Sequence, residues 1–153
     1  MCPLTTWLAL GDWLLSDPVM QGCKIVIEHN ACFNAERSLD SYPEFDVLLD
    51  LLERGQGRLY VKLCGINRLH KGDRLMAAIP PGVIAIASRV PDSVVWGSDW
   101  PHVQYELGDL CDRYTPVAGR RVDLGCELGM LNEALPVDIR GKLMVDNPRL
   151  LFK

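Results

Sequence analysis

Three short apolar runs in this chain end abruptly in polar, titratable residues. Lys24-Ile25-Val26-Ile27 runs into Glu28-His29-Asn30, and Leu59-Tyr60-Val61-Lys62-Leu63-Cys64 into Gly65-Ile66-Asn67-Arg68. Val94-Val95-Trp96 runs into Gly97-Ser98-Asp99-Trp100-Pro101-His102. Each run is brief and rich in β-branched or aromatic residues, which predicts buried strands of a parallel sheet. In parallel α/β proteins the carboxyl ends of the strands are where chemistry is placed.

Between the runs the apolar positions recur at helical spacing. Ser41-Tyr42-Pro43-Glu44 opens a predicted helix, with Ser41 as the cap, Pro43 at an early position and Glu44 three residues after the cap. Phe45, Leu48, Leu49 and Leu52 form its apolar stripe, and Gly55 supplies the stop. Further helices are expected from Asp73 to Ile79, broken by Pro80-Pro81, and from Val83 to Ser88. The tail predicts helices from Asp123 to Ala134 and from Pro136 to about Val145, then a helical turn after Asn147-Pro148. Trp7 to Met20 also reads as helix, although Gly11 and Pro18 work against it. Alternating strands and helices with short connections imply an α/β fold with right-handed crossovers. No repeat or linker divides residues 1–153, so a single domain is expected.

Composition narrows the function classes. A 48% hydrophobic content over 153 residues supports one core. The net charge of −4, with no basic run beyond Arg120-Arg121, argues against nucleic acid or an anionic membrane as partner. No apolar stretch reaches transmembrane length, and Met1-Cys2-Pro3-Leu4 lacks a basic leader region. Six cysteines without a CxxC pair read as reduced thiols, so the expected compartment is the cytoplasm.

The strand ends supply the candidate chemistry. An imidazole at His29 suits substrate binding, metal ligation or proton transfer, or else caps the strand. Arg68 follows a glycine turn and suits bidentate capture of a carboxylate, or a surface ion pair. Asp99, between Trp96 and Trp100, suits a general base on water, with Pro101 fixing the direction of the chain toward His102. The bland alternative makes Asp99 a turn cap and both tryptophans core. His70 and Lys71 read as a solvated loop, and Cys64 as core rather than nucleophile.

In order and spacing these blocks, with the ending Leu143-Met144-Val145-Asp146-Asn147-Pro148-Arg149-Leu150-Leu151-Phe152, resemble the amidohydrolase-related (amidohydrolase 2) family. The nearest likeness is to its lactonase branch, of the 2-pyrone-4,6-dicarboxylate lactonase type, over residues from about 24 to 153. The resemblance implies a (β/α)8 TIM-type barrel, of which this chain would be the N-terminally truncated, C-terminal part. It also implies a hydrolase of a carboxylate-bearing lactone. Asp99 and His29 would be catalytic, the first activating water and the second polarising the carbonyl. Arg68 and His102 would bind substrate.

Two features depart from the family pattern. The first-strand His-x-His pair is absent, and Asn30-Ala31-Cys32-Phe33 stands where an arginine is usual. His29 and Asp99 are candidate donors and His102 a further one, short of the set that the resemblance to the family would imply, so no metal ligand set is assigned, although the family admits a zinc ion. Other readings stay open: an inactive half-barrel remnant or interaction module, or a zinc-dependent decarboxylase. A part-barrel would also leave open sheet edges suited to self-association.

Overall fold

In the computed structural model, which describes residues 4–35, 37–69, 78–102 and 121–153, the three apolar runs form one parallel sheet. Strands β1 (Ile25–Ile27), β2 (Leu59–Cys64) and β3 (Val94–Gly97) lie side by side in chain order. Ile25 pairs with Leu59 and Ile27 with Val61, while Val61 pairs with Val94 and Cys64 with Gly97. The carboxyl ends of all three strands therefore lie together at one end of the sheet. Among the described residues no further strand joins either edge, so the sheet is open.

Helices α1 (Leu4–Ser16), α2 (Pro18–Gln21), α3 (Pro43–Arg54) and α4 (Pro81–Arg89) separate or precede the strands. Helices α5 (Leu124–Ala134), α6 (Val137–Gly141) and α7 (Asn147–Leu151) follow them. One face of the sheet, carrying Ile27, Leu59, Val61, Leu63 and Val94, is buried under these helices. Phe45, Leu48 and Leu52 of α3, Val83 and Ile86 of α4, and Leu131 and Leu143 complete that core. Each such side chain contributes about 1.5–3 kcal/mol when removed from water. Because side chains alternate along a strand, Tyr60, Lys62 and Cys64 point to the opposite face.

The helix boundaries follow local sequence closely, with three differences. The α3 stripe and its Gly55 stop occur as the periodicity predicts, with Pro43 at the first helical position. Ser41, however, does not cap it: residues 39–41 form a separate tight turn, and the Ser41 hydroxyl donates to the Ser38 carbonyl at 3.1 Å. Pro18 divides the amino-terminal segment in two, with the Asp17 carboxylate accepting from Val19 N at 2.9 Å to start α2. Gly11 is buried where α1 crosses α3, and a β-carbon there would lie 3.1 Å from Leu51 Cδ1.

The third difference lies in the tail. There α6 and α7 are joined through a wide helical turn at Lys142–Asp146, so the helix continues past Val145. Of the expected helix from Asp73 to Ile79, residues 73–77 lie outside the described residues, as do His70 and Lys71.

Candidate active site at the carboxyl end of the sheet

Immediately after β1 the backbone enters an unusual conformation. His29, Asn30, Ala31 and Cys32 have φ values of 53°, 55°, 56° and 53°, a left-handed turn without a glycine. L-residues pay about 1–2 kcal/mol each for this geometry, and of the four only Asn30 is of a type that visits it readily. Tertiary contacts hold the turn in place. Asn30 is buried and its Nδ2 donates to the Cys64 carbonyl at 2.8 Å, tying the turn to the end of β2. Ala31 N donates to Glu28 O at 3.1 Å, and Phe33 beyond the turn packs edge-on against Phe45 with ring centroids 5.5 Å apart. Such strain persists only where the surroundings over-determine it, and it concentrates at functional sites.

The third strand end has the same character. Asp99 sits two residues past Gly97 with φ 62°, and the Trp100–Pro101 bond is cis. Its carboxylate is only 11% exposed and comes within 3.5 Å of His29 Nδ1. The two catalytic candidates, seventy residues apart in the chain, thus meet because a parallel sheet aligns its carboxyl ends.

Cys64, at the end of the middle strand, completes the group. Its Sγ lies 3.6 Å from His29 Nδ1 and 3.9 Å from Glu28 Oε2. Burial pushes its thiol up to about 11, opposed by a hydrogen bond from the His29 backbone and by the Lys62 ammonium, and reinforced by Asp99 and Glu28. Lys62 Nζ pairs with Glu28 Oε2 at 2.6 Å on the same face. Partial burial works against the Lys62 charge, yet Glu28, Cys64 and Asp99 together raise its pKa above the usual value. Lys62 and Cys64 are neighbours on one face because they are two residues apart on a strand. A lysine inside an otherwise apolar run was the one sequence signal that this face is not simply core. Cys64 is buried, as expected, but its sulfur faces the polar group.

A divalent ion fits this donor set. One ligand atom each from His29, Cys64 and Asp99 lie within 4.8 Å of one another. Tetrahedral zinc with N, O and S ligands at ordinary bond lengths separates its ligand atoms by about 3.3–3.6 Å, close to the His29–Asp99 and His29–Cys64 distances of 3.5 and 3.6 Å.

The remaining candidates are placed differently. His102 is half-buried, with Nε2 2.8 Å from the Ser98 carbonyl, which anchors the ring to its own loop. Arg68 belongs to the turn Ile66–Leu69 that leaves β2, and its side chain lies outside the described residues. Trp100 is 80% exposed and so neither shields Asp99 nor belongs to the core. Trp96 packs against the core and donates from Nε1 to Glu127 Oε1 at 3.3 Å. Glu127, buried on α5, also accepts from Asn67 Nδ2 at 3.3 Å, linking the second and third strand ends through a helix.

Comparisons with known proteins agree with this architecture. Residues 20–153 match the family model described as Amidohydrolase. The chain is 28% identical over 127 residues to 4-sulfomuconolactone hydrolase of Hydrogenophaga intermedia, covering 83% of this chain and 38% of that protein. It is 30% identical over 129 residues to the Rhizobium radiobacter enzyme of the same name, covering 84% and 39%. D-galactarolactone isomerase of Agrobacterium fabrum is 30% identical over 128 residues, covering 84% and 40%. The chain therefore spans about two fifths of the length of these relatives.

Among solved structures, an apo Agrobacterium tumefaciens protein superposes with a TM-score of 0.69 at 23% identity. That match covers 99% of this chain and 48% of that one. The open parallel sheet with its helices is a partial TIM-type barrel. No helix among the described residues is long and apolar enough to cross a membrane. The chain belongs to the amidohydrolase family.

Proposed function

We propose that this protein is a hydrolase that opens a small lactone bearing a carboxylate, and that residues 1–153 work as a single domain. The observation that carries the reading is the approach of the Asp99 carboxylate to His29 Nδ1 at the carboxyl end of the sheet. The amidohydrolase membership and the two relatives named 4-sulfomuconolactone hydrolase support the reaction class.

In this mechanism water attacks the lactone carbonyl while Asp99 takes its proton as general base. His29 orients the carboxylate and donates toward the carbonyl oxygen as negative charge develops there. Collapse of the tetrahedral species breaks the ring C–O bond. The proton held on Asp99 passes to the departing alkoxide, giving the open hydroxy acid. Arg68 holds the carboxylate of the substrate, and His102, braced by Ser98, lines the pocket. A divalent ion held by His29, Cys64 and Asp99 would lower the pKa of water and polarise the carbonyl. The same donor set is what a second reading, a zinc-dependent decarboxylase, would draw on. The edges of β1 and β3, which no other strand among the described residues covers, suit pairing with another chain.

The test is hydrolysis of a carboxylated lactone by the wild-type protein and by Asp99→Asn, each checked for folding by circular dichroism. Asparagine keeps the shape and tolerates the left-handed backbone, so the fold should persist while the rate drops about 10²–10⁴-fold. Equal rates, or no hydrolysis by either protein, would remove the proposal.

A further inference from the structure

We propose that Cys64 serves as a thiolate donor which, with His29 and Asp99, makes the strand-end site selective for thiophilic divalent ions. This deepens the functional reading and rests on its placement of the site at these strand ends. The argument is geometric. Cys64 Sγ and Asp99 Oδ1 both approach the same ring nitrogen, His29 Nδ1, at 3.6 and 3.5 Å, and one ligand atom from each of the three residues falls within 4.8 Å of the others.

Three different elements supply the donors, and each is fixed by its own restraint. Cys64 ends the middle strand, in register with Gly97 of β3. His29 stands on the left-handed turn, which Asn30 fastens to the backbone of Cys64 itself. Asp99 is held in a left-handed conformation past β3. A site whose donors are held in place in this way loses little freedom when an ion enters.

Charge supports the same assignment. An entering divalent cation displaces the Cys64 proton, and the resulting thiolate together with the Asp99 carboxylate supplies two negative charges that the cation neutralises. The adjacent Lys62–Glu28 pair is internally balanced and leaves that sum unchanged. The chemical identity of the donors then sets the preference. Magnesium demands hard oxygen ligands in octahedral geometry, whereas one nitrogen, one sulfur and one oxygen donor suit zinc, cobalt or cadmium. Three ligands from the described residues leave room in a tetrahedral shell for a further donor, water or a substrate oxygen.

The experiment is a cobalt(II) titration of the intact protein followed by absorption, with zinc and magnesium competition. One equivalent should bind and produce a near-ultraviolet thiolate-to-cobalt charge-transfer band together with tetrahedral visible bands. Zinc should displace it, and magnesium should fail to do so at about 100-fold higher concentration. Cys64→Ser should remove the charge-transfer band and weaken binding roughly tenfold or more. Cys64→Ala is a second variant in case buried serine impairs folding, and circular dichroism verifies both. Cys23→Ser, altering an exposed thiol outside the group, should leave the band intact.

Absence of stoichiometric cobalt binding, displacement by magnesium, or a charge-transfer band that survives in folded Cys64→Ser or Cys64→Ala would each overturn the proposal. Lactone hydrolysis that persists in metal-free protein and needs Asp99 would leave the hydrolase reading standing while this one falls. Cobalt binding through Cys64 without any lactone hydrolysis would do the opposite.

Discussion

The two ends of the sheet are built on opposite principles. At the carboxyl end, five non-glycine residues take left-handed backbone conformations, and an imidazole, a thiol and a carboxylate converge. At the amino end of β3, polar groups are paired and the backbone is relaxed. Asn147, buried at the start of α7, donates from Nδ2 to the carbonyls of Pro91 and Val94, both at 2.7 Å. Lys142 pairs with Asp92 at 2.7 Å beside it. The Arg58 guanidinium, just before β2, donates to the carbonyls of Leu14 at 3.0 Å and Met20 at 2.5 Å, closing the ends of α1 and α2. One end stores strain and gathers reactive groups; the other holds the fold together. Barrel-type proteins divide chemistry and stability between their two faces in this manner.

That contrast is broken or sharpened most forcefully at Asn147. Asn147→Ala leaves two carbonyls without their donor and should lower unfolding free energy by about 2–4 kcal/mol. Urea denaturation measures this, and a loss below about 0.5 kcal/mol would show that the amino end is not held as described.

A smaller effect of opposite character is expected at Asp99. Both Asp99→Ala and Asp99→Gly delete the carboxylate, but only glycine relieves the left-handed backbone. The glycine variant should therefore be the more stable by about 1 kcal/mol, the reverse of the order at an ordinary position. Alanine equal to or better than glycine would show that the strand end is not strained.

The smallest effect belongs to the solvent-facing rim of the amino end, where α3 and α4 lead into β2 and β3. Arg89, on the surface, bonds Glu53 at 2.9 Å and Asp50 at 2.8 Å, and its hydrogen bond holds the Glu53 carboxyl below the usual range. A lowered folded-state pKa means that any stabilisation is present above the ordinary carboxylate pKa and fades as pH falls through the lowered value. Both groups are open to solvent, so Arg89→Ala should leave the neutral-pH denaturation midpoint within error. A clear drop in the midpoint would mean that the helical surface shares the load attributed to Asn147.

Much of this contrast was legible in the sequence. The three strands announced themselves because β-branched runs stopped at polar residues, and their parallel order implied that His29 and Asp99 would share one end. The helix stripe of Phe45, Leu48, Leu49 and Leu52 was equally plain. The left-handed turn was not, because His-Asn-Ala-Cys contains no glycine to signal positive φ; the conformation is imposed by packing and by Asn30. Cys64 reads as core because the sequence places no base near it. Lys62, two residues earlier on the same face, is the only local hint otherwise, and the imidazole beside Cys64 comes from a different strand end. Trp100 has the hydrophobicity of a core residue, yet it stands 80% exposed past the strand end. Ser41 had the residue type for a cap but fell inside the preceding turn.

The most direct test of the division between the two ends is lactone hydrolysis by Asp99→Asn and Asn147→Ala, each normalised to its folded fraction. The account predicts that folded Asp99→Asn loses about 10²–10⁴-fold in rate while folded Asn147→Ala keeps the wild-type rate. Equal activity in Asp99→Asn and wild type would contradict it.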